Sequence, residues 1–286
     1  MDDLLATHFA HLFIRDPLVI FSEDLEELDL SKGDHFENLQ STNWQHMRFK
    51  PPPSDKDDIG WRVEFRSMEI QITDFENAAF SIFIVLITRA ILSFDLNFYI
   101  PIQRTTENME TAHARNAVLD QKFYFRKDPF SARAPKVSNQ QSSDGSTFSS
   151  TTSSAVNTPP PSPPLGPVEV EYELMTISDI INGCTDGSFP GLIPLVESYL
   201  NSVNVDVETR CFLASYLDLI RKRADGTLWT GARWIREFVA KHPSYKQDSV
   251  VSEEITYDLI KAVEEVTTKE GRNGSVGWEL LRGKKN

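Results

Sequence analysis

The sequence predicts an α+β protein: part of an antiparallel sheet followed by a mainly helical region from about residue 172. Three observations predict it. The stretch "IGWRVEFRSMEIQIT", residues 59–73, alternates charged and apolar positions with a period of two. Directly after it, "TDFENAAFSIFIVLITRAILSF" joins a helix-capping signal to a long apolar run. Beyond a Ser/Thr/Pro-rich segment, apolar residues recur at helical spacing to the end of the chain.

The organisation reads as residues 1–130 with the strand and the apolar helix, residues 131–167 as a disordered linker, and residues 168–286 as a helical region. "MDDLLATHFAHLFIRDP" opens with a helix on Leu5, Phe9, Leu12 and Phe13, stopped by Pro17. His8 and His11 lie one turn apart with no third metal ligand nearby, so they read as packing or surface residues. "SEDLEELDLSKGD" reads as an acidic loop. In "NWQHMRFKPPP" the three prolines deny the chain a helix, and the segment reads as a loop carrying Trp44, Arg48 and Lys50.

In the apolar helix, Thr73 and Glu76 have capping-box spacing. Its apolar residues fall nearly all round, which predicts burial on several sides, and Arg89 within it predicts a structural ion pair or carbonyl contacts. "TTENMETAHARNAVLDQKFYFRK" reads as a further amphipathic helix. The segment at 131–167 is nearly empty of large apolar residues and cannot offset its ordering entropy. After it, "MTISDIINGC" ends at Gly183, "GLIPLVESYLNSV" follows, "DVETRCFLASYLDLIRKRADG" has Asp206 as its cap, and "LWTGARWIREFVAKHP" and "SEEITYDLIKAVEEVTTKEG" complete the series.

A net charge of −13 over 286 residues argues against nucleic-acid binding, which needs a concentrated basic face. Hydrophobic content of 40% and charged content of 25% suit a soluble, cytoplasmic protein. The two cysteines, Cys184 and Cys211, exclude a disulfide framework and read as small buried apolar residues. The N-terminus begins acidic, unlike a secretory leader. The most apolar run, "AAFSIFIVLI", is shorter than the roughly 20 residues a membrane-crossing helix needs, so no membrane is expected.

As a strand, residues 61–66 place Arg62, Glu64 and Arg66 on one face and Trp61, Val63 and Phe65 on the other. Two readings fit the charged face. One is a solvated sheet with cross-strand ion pairs. The other is a nucleoside-triphosphate site: guanidinium groups hold phosphates through a planar fork, and a carboxylate is a hard oxygen ligand for Mg²⁺. No Gly-rich phosphate loop is present, so ATP would have to bind on a sheet face.

The stretch "DHFENLQSTNWQHMRFKPPPSDKDDIGWRVEFRSMEIQITDFENAAFSIFIVLITRAILSFDLNFYIPI" resembles the eukaryotic glutamate–cysteine ligase catalytic subunit, and the resemblance resumes with "FPGLIPLVESYLNSVNVDVETRC" and "ARWIREFVAKHPSYKQDSVV". It implies an ATP-dependent ligation of the L-glutamate γ-carboxylate to L-cysteine through a γ-glutamyl phosphate, the first step of glutathione synthesis. It also implies a glutamine-synthetase-like antiparallel sheet and a modifier subunit as partner. Carried over by position, Glu64 is a Mg²⁺ ligand, Arg62 contacts nucleotide phosphates, and Arg66 contacts the transferring phosphate or the glutamate. Arg48 and Lys50 are further phosphate candidates. The resemblance covers only the C-terminal part of that subunit. A fragment lacking most of the acidic metal ligands is therefore expected, inactive by itself. The alternative is a non-catalytic remnant or a subunit-binding module.

Overall fold

Thr73 begins the element on which the rest of the molecule is built. The computed structural model describes residues 59–130 and 171–273, the strand at 47–50, and positions 3, 6–8, 10, 11, 22 and 52. The expected linker at 131–167, the acidic loop beyond Ser22 and Trp44 lie outside the described residues. Helix α1 runs Asp74–Phe94. The Thr73 side chain accepts the Glu76 amide, and the Glu76 carboxylate accepts the Thr73 amide at 3.0 Å, so the capping box read from the sequence is formed on both sides.

Helix α1 buries one stripe, Glu76, Ala79, Phe83, Ile87 and Ala90, at helical spacing. That is a correction to burial on several sides. Ser81, Val85, Arg89 and Leu92 form an exposed stripe opposite, with Leu92 73% exposed, so Arg89 needs no buried partner. At 21 residues, α1 is long and apolar enough to cross a membrane by length and composition, and a buried core helix meets the same test. Its buried stripe packs on α5 (Leu192–Ser202) and α6 (Val207–Ala224). The shared core is Ala79, Phe83, Ile87 and Ala90 with Ile193, Val196, Leu217 and Ile220.

Two antiparallel ribbons accompany the helices. Strand β1, Met47–Lys50, pairs with β2, Arg62–Phe65. Strand β3, Lys122–Arg126, pairs with β4, Tyr172–Thr176. The single helix expected over 105–127 is instead α2 (Ile102–Ala112), a short α3 (Ala117–Asp120) and β3. Asn116 breaks the run with φ 56°. Strand β4 corrects the expectation that everything after the linker is helical. Both strands are short, and each takes its stability from its partner and from a second core of Phe123, Met175, Ile180 and Phe189.

The residues that carry the expected N-terminal helix, Leu5, Phe9, Leu12, Phe13 and Pro17, lie outside the described residues; the other helical expectations after the linker hold. Helix α4 (Ile177–Asn182) stops at Gly183, Asp206 caps α6 through the Thr209 amide at 2.9 Å, and α7 (Gly231–Lys241) and α8 (Glu253–Asn273) follow. Gly183 and Gly191 stand back to back with φ of 99° and 88°, and a Cβ on Gly191 would lie 2.4 Å from the Gly183 nitrogen. Cys184 is half-buried and Cys211 is exposed, which corrects the reading of two buried cysteines. His11 sits 2.9 Å from the Thr106 hydroxyl, as a packing residue would.

Candidate functional site

The loop expected around Arg48 and Lys50 is a strand. The register sets Arg48 opposite Glu64, Lys50 opposite Arg62 and Met47 opposite Phe65. Directly opposed residues share a face, so β1 brings Lys50 to the charged side of β2. The three prolines at 51–53 follow directly after β1 in the sequence. The sequence signal that marked a loop was thus the end of a strand.

On that face the Glu64 carboxylate is the hub. Lys50 Nζ lies 2.9 Å and an Arg66 guanidinium nitrogen 3.2 Å from its Oε2. Hydrogen bonds from Lys50 first and Arg66 second hold the Glu64 carboxyl below the usual carboxylate range. These groups remain about a third exposed, at 35%, 39% and 34% for Lys50, Glu64 and Arg66. Ion pairs in that setting exchange partners with solvent and ligands at small cost. The arrangement therefore holds cations at fixed spacing, open to an anion.

The opposite face is apolar and half-exposed. Trp61, Val63 and Phe65 are 56%, 46% and 43% exposed. The expected apolar face exists, and about half of it is exposed.

A second Glu–Arg pair, which the sequence marked only as half of a helix cap, is buried. Glu76 Oε1 accepts from Arg223 of α6, and Arg223 also donates to the carbonyl of Trp229. The side chains are 0% and 7% exposed. Burial pulls the Arg223 guanidinium down to about 10, which leaves it charged at neutral pH. This pair ties the start of α1 to α6 and to the loop before α7.

A phosphate-bearing ligand fits the charged face of β1–β2. Mg²⁺ does not fit the described residues by themselves. None of them gather three or more His, Cys, Asp or Glu as a metal site, and Glu64 is a single carboxylate already bonded to two cations. Such an ion takes near-octahedral oxygen ligation.

The family model for glutamate–cysteine ligase matches residues 1–266. The chain belongs to the glutamate–cysteine ligase family. It is 67% identical to the glutamate–cysteine ligase of Neurospora crassa over 95% of this chain and 39% of that protein. It is 54% and 52% identical to the glutamate–cysteine ligase catalytic subunits of Mus musculus and Homo sapiens, over 91% of this chain and 38% of each. The chain thus spans well under half the length of the curated relatives it matches.

Proposed function

We propose that this chain supplies the phosphate-handling strand pair of an ATP-dependent ligase that joins the γ-carboxylate of L-glutamate to L-cysteine. The observation that supports it is the convergence of Lys50, Arg62, Glu64 and Arg66 on one face of a two-stranded ribbon, with Arg48 in register opposite Glu64. In such a reaction a γ-carboxylate oxygen attacks the terminal phosphorus of ATP and ADP leaves. The cysteine nitrogen then attacks the acyl carbon, phosphate leaves with the bonding electrons, and the amine proton passes to solvent. Phosphoryl transfer needs positioned cations more than covalent help from the protein.

Arg62 holds nucleotide phosphates, and Arg66 holds the transferring phosphate or the glutamate. Lys50 adds positive charge beside them, and Arg48 is a further phosphate candidate. Glu64 positions Lys50 and Arg66, and contributes at most one ligand to Mg²⁺. The remaining ligands come from outside the described residues, on a glutamine-synthetase-like sheet that covers Trp61, Val63 and Phe65. The mouse and human relatives are named catalytic subunits, and a modifier subunit is the partner such a name implies. The setting is cytoplasmic.

The test uses a ligase that carries this chain after the preceding part of the Neurospora relative. Glu64→Gln should lower turnover by about a hundredfold or more, the usual effect of removing one electrostatic contact at a developing charge. Near-normal kinetics would remove Glu64 from the site. Supplied with ATP, Mg²⁺, glutamate and cysteine, the chain alone should make no γ-glutamylcysteine. Product formed at the rate of the joined protein would show that the chain completes the site itself.

A further inference from the structure

Behind the segment that leads from β2 into α1 lies a cavity of about 890 Å³, open to solvent on one side. Small-molecule sites usually measure roughly 300–1,000 Å³. Its walls come from residues 68–72, α1, the turn between α2 and α3, the α6–α7 loop and the start of α7. Most of the lining is apolar, with Phe83, Ile181 and Leu228 at its inner side.

One wall carries positive charge. Arg223 lines the cavity, is 93% buried by the exposure of its side chain, and has an Nε with no hydrogen-bond partner among the described residues. A buried polar nitrogen left unpaired costs free energy until something accepts from it. Beside it, Thr230 caps α7 by accepting the Arg233 amide at 3.2 Å. The first turn of that 11-residue helix has no acidic residue, and its leading N–H groups and dipole favour an anion.

Arg233 lies in the same turn, stacked 4.7 Å above the centre of the Trp229 ring, with neutral Asn116 as a hydrogen-bond partner at 3.4 Å. Among the lining residues, Arg223, Arg233 and Arg236 face a single carboxylate, Glu69. Glu76 neutralises Arg223 from behind. The excess is therefore positive. Glu237, on the same helix, is held below the usual carboxylate range first by Lys241, with Arg233 and Arg115 adding to the pull.

We propose that this cavity binds an organic carboxylate with an apolar body, its head at the wall formed by Arg223, Arg233 and the start of α7 and its body against Phe83, Ile181 and Leu228. A neutral molecule of the same shape leaves the cationic wall unanswered. A bare anion leaves the apolar lining unused. Both halves of the cavity select the same amphiphilic chemistry. The site is separate from the charged face of β1–β2 and does not depend on what that face binds.

Titration calorimetry of the full chain tests this with octanoate, 1-octanol and inorganic phosphate as probes. Octanoate should bind saturably at one site, with octanol and phosphate each weaker by about tenfold or more, the worth of one charge-assisted contact. Arg233→Gln should weaken octanoate by about tenfold. A second variant, Ile181→Phe, should reduce octanoate binding by filling the apolar end and leave phosphate as it was. Octanol binding as tightly as octanoate would overturn the proposal, as would phosphate binding as tightly as octanoate. So would the absence of saturable octanoate binding, or octanoate binding indifferent to both variants.

Discussion

Two glutamate–arginine contacts, one on β2 and one at the start of α1, obey different physics. Glu64 meets Lys50 and Arg66 on the face of a ribbon, with every partner about a third exposed. Glu76 meets Arg223 inside the helical layer, with both partners nearly inaccessible. Water screens the first set, so its charges add little to folding and stay free to change partners. The second pair has no water to fall back on, so each charge depends on the other. Similar residue types therefore serve ligand binding in one place and architecture in the other.

The contrast breaks most visibly if Arg223 is removed. Arg223→Met leaves the Glu76 carboxylate buried without its cation, which should cost about 3–5 kcal/mol in denaturant unfolding. Combining Arg223→Met with Glu76→Gln should restore part of that loss, since no charge is then stranded. A double variant less stable than Arg223→Met alone would show that the pair is not what couples α1 to α6. Thr73→Ala removes the hydroxyl that donates to the Glu76 carboxylate and accepts the Glu76 amide, and should cost about 1 kcal/mol, the usual worth of a helix cap.

On the ribbon the expected effects are smaller. Val63→Thr on the half-exposed apolar face should shift the stability of the chain by no more than about 0.5 kcal/mol, as exposed substitutions do. A larger loss would mean that this face is covered in solution. The smallest effect belongs to Glu64. Its carboxyl is held below its ordinary range, so the folded state favours the ionised form. Its stabilising contribution is present above about pH 5 and is lost as the pH falls through the carboxylate range. The stability difference between the parent chain and Glu64→Gln should therefore shrink between about pH 5 and pH 3, and shrink at any pH when salt is raised. A difference that grows on acidification would reverse the sign and place Glu64 against a negative neighbour.

Much of this was legible in the chain itself. The period of two at 61–66, the Thr73–Glu76 capping box, the Asp206 cap and the Gly183 stop are local signals, set by backbone geometry within a few residues, and each appears where the sequence puts it. Arg62, Glu64 and Arg66 share a face because side chains alternate along a strand, which needs no tertiary information. Folding decided what depends on partners remote in sequence. Residues 47–50 became a strand because β2 supplies their ladder, and 122–126 because 172–176 supply theirs. Helix α1 is apolar nearly all round, yet only contact with α5 and α6 determines which stripe is buried. Glu76 carries two roles, and only the first lies within three residues of it. The second depends on Arg223, 147 residues further on, where α6 packs across α1 and water is excluded.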